Sequence, residues 1–128
     1  MFERLEFELP VGPRAPSQAR RAVSGIATLP ERTRADALLL VSELVTNAVI
    51  HAELSAADTV RLTLLRDGDR LVIEVDDRGA PSDRRRGIAS GEVRPDTPGA
   101  GLGLKIVDRL AEHWQVKGSR VSATLRYR

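Results

Sequence analysis

From about Glu31 to His51 the chain runs without a glycine or a proline, and Leu38, Val41, Leu44, Val45, Ala48 and Ala52 recur at helical spacing. This predicts one long amphipathic helix, whose aliphatic stripe must be buried against another element. The flanking sequence offers strands for that purpose. Residues 2 to 8 alternate, with Leu5, Phe7 and Leu9 as the expected buried face, and Pro10, Gly12 and Pro13 end the run. After the helix, Thr59 to Leu65 alternates, Asp67-Gly68-Asp69 supplies a turn, and Leu71 to Val75 alternates again, which is the pattern of a hairpin. A first, shorter helix is expected from Pro16 and Ser17 to near Leu29-Pro30, with Ala19, Ala22, Val23 and Ile26 on one face. A third should open at Gly101 and last to about His113, followed by strands at Trp114 to Lys117 and Arg120 to Arg126. The order β-α-α-β-β-loop-α-β-β predicts an α+β two-layer sandwich. Its sheet is expected to be mixed but mostly antiparallel, covered on one face by about three helices.

Composition narrows the function classes. The 128 residues suit a single domain spanning 1–128, and 41% hydrophobic with 30% charged residues is ordinary for a globular chain. The only aromatics are Phe2, Phe7, Trp114 and Tyr127, too few for base-stacking platforms. A net charge of +2 provides no basic stripe, so direct nucleic-acid binding is not expected. The absence of cysteine excludes disulfides, zinc–thiolate sites and cysteine nucleophiles. The opening MFERLEFELP does not read as a signal peptide, and no apolar run is long enough to span a bilayer. The expected location is therefore the cytoplasm, with no membrane partner.

Three short constellations carry chemistry. On the long helix, Glu43, Asn47 and His51 follow one another a turn apart and project from one side. An amide oxygen can ligate Mg²⁺ without adding charge, and a carboxylate can accept a proton from a nearby hydroxyl. The same spacing also describes a solvated polar stripe. The second constellation, Val75-Asp76-Asp77-Arg78-Gly79, ends an alternating strand in carboxylates and a glycine turn. A buried carboxylate there can accept from an exocyclic amino group, although Asp and Gly also simply end strands. The third, Gly99-Ala100-Gly101-Leu102-Gly103-Leu104, presents backbone N–H groups at the positive end of a helix, where phosphates bind. Neither a dinucleotide fingerprint nor a Walker motif fits it. Between the second and third lies Arg78 to Gly99, rich in glycine and proline and carrying Arg84 to Arg86, which reads as a long functional loop.

Taken in order, Glu-x-x-x-Asn on a helix, Asp-x-Gly at a strand end, and Gly-x-Gly opening a helix after some twenty residues resemble the N, G1 and G2 boxes of the GHKL (Bergerat) ATPase superfamily. The strings SELVTNAVIHA and GLGLKIVDRLAEHW are similar to its actinobacterial anti-sigma regulatory kinase branch. The resemblance implies ATP and Mg²⁺ as cofactors, with Asn47 on the metal, Glu43 as catalytic base and Asp77 on the adenine amino group. It implies Gly79 beneath the base and Gly101, Leu102, Gly103 and Leu104 around the phosphates. One departure is Pro81, where the G1 pattern has a second glycine. His51, Lys105 and the arginine run lie close enough in sequence to reach phosphates, but each also fits a solvated role. The resemblance implies a serine/threonine kinase that phosphorylates an anti-sigma-factor antagonist and sequesters a sigma factor, and it leaves room for a homodimer. A non-catalytic, ATP-dependent binding module is the alternative. An orphan histidine-kinase catalytic domain would lack its dimerisation helix.

Overall fold

The computed structural model describes residues 2–51, 59–77 and 101–127, with backbone alone at residues 50, 51 and 101–104. Five strands, β1 (Phe2–Pro10), β2 (Thr59–Asp67), β3 (Arg70–Asp76), β4 (His113–Lys117) and β5 (Arg120–Arg126), form one sheet in the order β1-β2-β3-β5-β4. Three helices accompany it: α1 (Ala15–Ser24), α2 (Glu31–His51) and α3 (Gly101–Leu110). The expected α+β sandwich is present. Every described strand pairing is antiparallel, so the mixed character expected of the sheet is not seen among these residues. The reason is connectivity: each neighbouring pair is joined by a turn or by a crossover that reverses direction.

Strand alternation sorts the sheet into two faces. Register aligns Phe7, Leu62, Val75 and Val121 in one row and Leu5, Leu64, Ile73 and Ala123 in the next, and these side chains belong to the hydrophobic core. The opposite face carries rows such as Glu8, Arg61, Asp76 and Arg120. Leu5 and Phe7 point the expected way but are only partly covered, because β1 is an edge strand. Two tight turns close the hairpins. Gly68 at φ +63° and Gly118 at φ +58° adopt left-handed backbone that residues with a Cβ take up at a cost.

α2 lies over β2, β3 and β5, with α1 on one flank toward β1 and α3 on the other toward β4. Ala37, Leu40, Val41, Leu44 and Val45 are buried along it, and Ala15, Ala19 and Val23 of α1 are fully buried against the same core. The small alanines let α1 sit close. α1 stops at Ser24, short of the expected Leu29. The Arg34 guanidinium of α2 donates to the carbonyls of Val23, Ser24 and Ile26, and Arg66 of β2 donates to the carbonyl of Ala27. Those acceptors are thereby taken from any continuing helix, and Thr28 adopts φ +60°. α3 likewise ends at Leu110, before His113, and its C-terminal turn is held by the indole N–H of Trp114, which donates to Asp108 at 2.8 Å. Trp114 is partly buried and packs against the core. Ala52, Gly79, Pro81 and the whole Arg78 to Gly99 segment, with Arg84 to Arg86, lie outside the described residues.

The orientation of α2 can be checked with neighbouring leucines. Leu40 is fully buried whereas Leu39 is 43% exposed. Leu40→Ala should cost about 2–5 kcal/mol in urea unfolding, from lost burial and the cavity left behind. Leu39→Ala should stay within about 0.5 kcal/mol of wild type.

Candidate functional site

Asp77 follows the last residue of β3 and continues its alternation, so it falls on the helix-covered side with Ile73 and Val75. It is 1% exposed, which is exceptional for a carboxylate. Its neighbour Asp76 turns to the open face, where the Ser119 hydroxyl donates to its Oδ1 at 2.6 Å and Arg120 lies 3.8 Å from Oδ2. The backbone N–H of Asp77 donates to the Ser119 carbonyl at 3.2 Å. The β4–β5 turn therefore grips the end of β3 twice and fixes where the Asp77 carboxylate sits. An ionised carboxylate is acceptor-only, so this buried group suits a donor such as an amino group.

The positions on α2 follow from its wheel. Ser42 accepts a hydrogen bond from Arg20 of α1 at 3.2 Å, which marks the α1 flank. At about 100° per residue, Asn47 lies about 140° around from Ser42, on the α3 flank, and Glu43 precedes it by one turn. Both are half-buried. The Asn47 Nδ2 is buried and has no hydrogen-bond partner among the described residues. An orphaned buried amide is costly, and it is a group that a ligand could satisfy. The amide can turn to present either atom, so its oxygen is available to a cation.

The third feature is the start of α3 at Gly101, whose first-turn backbone N–H groups have no acceptor within the helix. The helix is anchored away from that end by the fully buried Val107 and by the Asp108–Trp114 bond. Side chains at Gly101, Leu102, Gly103, Leu104 and His51 are not described, and Lys105 is exposed. Glu43 and Asn47 thus sit on the side of α2 that faces α3, and Asp77 ends a strand on which α2 rests. Among the described residues, no group of three or more His, Asp or Glu side chains could hold a metal unaided.

The model of the histidine kinase-like ATPase domain matches residues 9–127. The chain belongs to that family. Among solved structures, the crystal structure of the RsbU and RsbW domains of Rv1364c from Mycobacterium tuberculosis has the same fold, with a TM-score of 0.66 at 19% sequence identity. The match covers 98% of this chain and 32% of that one, so the chain spans about a third of the length of its structural neighbour. No curated protein gives a significant match. The family's name implies ATP as the ligand.

Three residues that matter here were invisible to motif reading. Ser119 and Arg120 reach Asp76 only because β5 pairs with β3 in a register that sets Arg120 opposite it. Arg20 finds Ser42 across a helix–helix contact. No local pattern announces either.

The two adjacent aspartates should separate cleanly by calorimetry. Asp77→Asn replaces an acceptor with a group that can set a donor against the adenine donor, and should weaken ATP binding by about 10- to 100-fold. Asp76→Asn, on the open face, should change it by less than about 3-fold.

Proposed function

We propose that the chain binds ATP with Mg²⁺ between α2 and α3 and transfers the γ-phosphoryl group to a serine or threonine of an anti-sigma-factor antagonist. In the same role it would sequester a sigma factor. The observation that carries this reading is the α2 stripe: a half-buried carboxylate, Glu43, one turn before the orphaned amide of Asn47, on the flank toward α3. The similarity of SELVTNAVIHA and GLGLKIVDRLAEHW to anti-sigma regulatory kinases supports the choice of partner, and the fold shared with an RsbW-containing structure agrees with it.

Each group has one task. Asp77 accepts from the adenine amino group, and the resemblance assigns Gly79, outside the described residues, to the same ring. The first-turn amides of α3, from Gly101 to Leu104, point at the phosphates. Asn47 holds Mg²⁺, which when bound neutralises charge on the phosphate oxygens. Glu43 accepts the proton of the attacking hydroxyl as its oxygen bonds to the γ-phosphorus and the bond to the ADP oxygen breaks.

The roles of Glu43 and Asn47 are separable. Asn47→Ala should impair nucleotide binding and phosphoryl transfer together. Glu43→Ala should leave ATP binding intact while transfer to a partner serine falls by about 10²–10⁴-fold, read as phosphoserine formed from labelled ATP across a panel of antagonist proteins. If wild type holds a partner only in ATP, never phosphorylates it, and Glu43→Ala changes nothing, the protein is a nucleotide-dependent binding module.

A further inference from the structure

We propose that Ser119 is a phosphorylation site and that a phosphoryl group there switches nucleotide binding off, the second half resting on the ATP reading above. Ser119 is half-buried in the β4–β5 turn, which Gly118 closes at φ +58°, and Lys117, Gly118 and Arg120 around it are exposed. A hydroxyl on a tight surface turn, with a cation before it and another after it, suits a protein serine kinase that selects its targets by basic charge. The hydroxyl is also prepared for transfer, because it donates to Asp76 Oδ1 at 2.6 Å. As Ser119 Oγ bonds to the γ-phosphorus of ATP held by that kinase and the bond to the ADP oxygen breaks, the Asp76 carboxylate takes the proton and passes it to water.

The charges around Ser119 decide the consequence. A phosphoester carries about −1.5 to −2 charge at pH 7, and its dianion has no proton to donate. The contact with Asp76 therefore turns from attraction into repulsion. The nearby guanidinium groups are already engaged: Arg120 lies 3.7 Å from Glu74 and 3.8 Å from Asp76, and Arg61, opposite Asp76 in the sheet, is held by Glu8 at 2.9 Å. Lys117, opposite Arg120, is exposed and offers only a solvent-screened contact. Phosphorylation thus sets the phosphate beside Glu74 and Asp76 with Arg120 shared among them, and the turn must move away from β3. The movement reaches the backbone, because the Ser119 carbonyl accepts from the Asp77 N–H at 3.2 Å. Asp77 is the residue whose carboxylate is buried in the site, so one turn serine links an event at the surface to the group proposed to read adenine.

Two measurements on the full chain test the two halves. For the site, the protein is incubated with labelled ATP, alone and with a serine kinase selective for basic sequences, and its peptides are mapped by mass spectrometry. Phosphate on Ser119 is expected, the arm in which it forms names the source, and its absence from both arms overturns the site. For the switch, phosphoserine is installed at position 119 by codon suppression. Calorimetry should show ATP affinity lowered at least about 10-fold, and exchange of the Asp77 amide, followed by NMR without nucleotide, should quicken at least about 10-fold. Asp76→Asn should shrink both effects, since it removes the nearest anion. ATP affinity and amide exchange equal to those of the unmodified chain would overturn the switch. The exchange arm needs no nucleotide, so a chain that never binds ATP yet shows the faster exchange has failed on the ATP reading and not on the coupling. Should circular dichroism show the phosphorylated chain unfolded, Ser119→Glu replaces it in both measurements, with the same directions expected.

Discussion

The structure depends on the burial of one aliphatic helix against one sheet. α2 meets the covered face through Ala37, Leu40, Val41, Leu44 and Val45, and the sheet answers with Leu62, Leu64, Leu71, Ile73 and Val75. With so few aromatics in the chain, no single large side chain can organise this core. Its stability comes instead from many medium-sized contacts, each of which needs the helix at the right height and rotation. The functional consequence is immediate. Rotating α2 so that the aliphatics face the sheet leaves Asn47 at the margin of the interface and Glu43 one turn behind it, on the flank toward α3. The packing that stabilises the domain also aims the residues proposed for its chemistry.

The sheet divides labour between its faces by the same period-two rule. Asp76 and Asp77 differ by one position, yet one lies among Ser119 and Arg120 on the open side and the other is buried on the covered side. A register slip of one residue would exchange them and put the wrong carboxylate in the site. The β4–β5 turn opposes such a slip, since Ser119 holds Asp76 through its hydroxyl and Asp77 through its carbonyl. Gly118, at positive φ, is what lets the turn be tight enough to do so.

Much of this was legible in the residues. Period-3.6 and period-2 patterns marked α2, the β2–β3 hairpin and the closing strands, because each has one face on a common core. The α1 terminus was misread, since Arg34 and Arg66 end that helix from distant parts of the chain and no local signal records their arrival. At the site, the resemblance singles out Asp77 and not Asp76, and Asp77 is the buried one of the two. Glu43 and Asn47 were found by spacing, but what singles out Asn47, a buried amide atom without a partner, is a property of packing and not of spacing. Ser119 was missed for the complementary reason: as a small polar residue in a turn it looks generic until β5 pairs with β3.

The ion pairs of β1 show how charge can set strand register without adding much stability. The ion pairs Arg61–Glu8, Arg66–Glu3 and Arg4–Glu6 are wholly or partly exposed, and pairs of that kind contribute about 0–1 kcal/mol to folding. Their arrangement nevertheless carries information. Two of the three run across to β2 and so register β1 against its neighbour, whereas the third runs along β1 itself and leaves a cation and an anion two residues apart on an unshared edge.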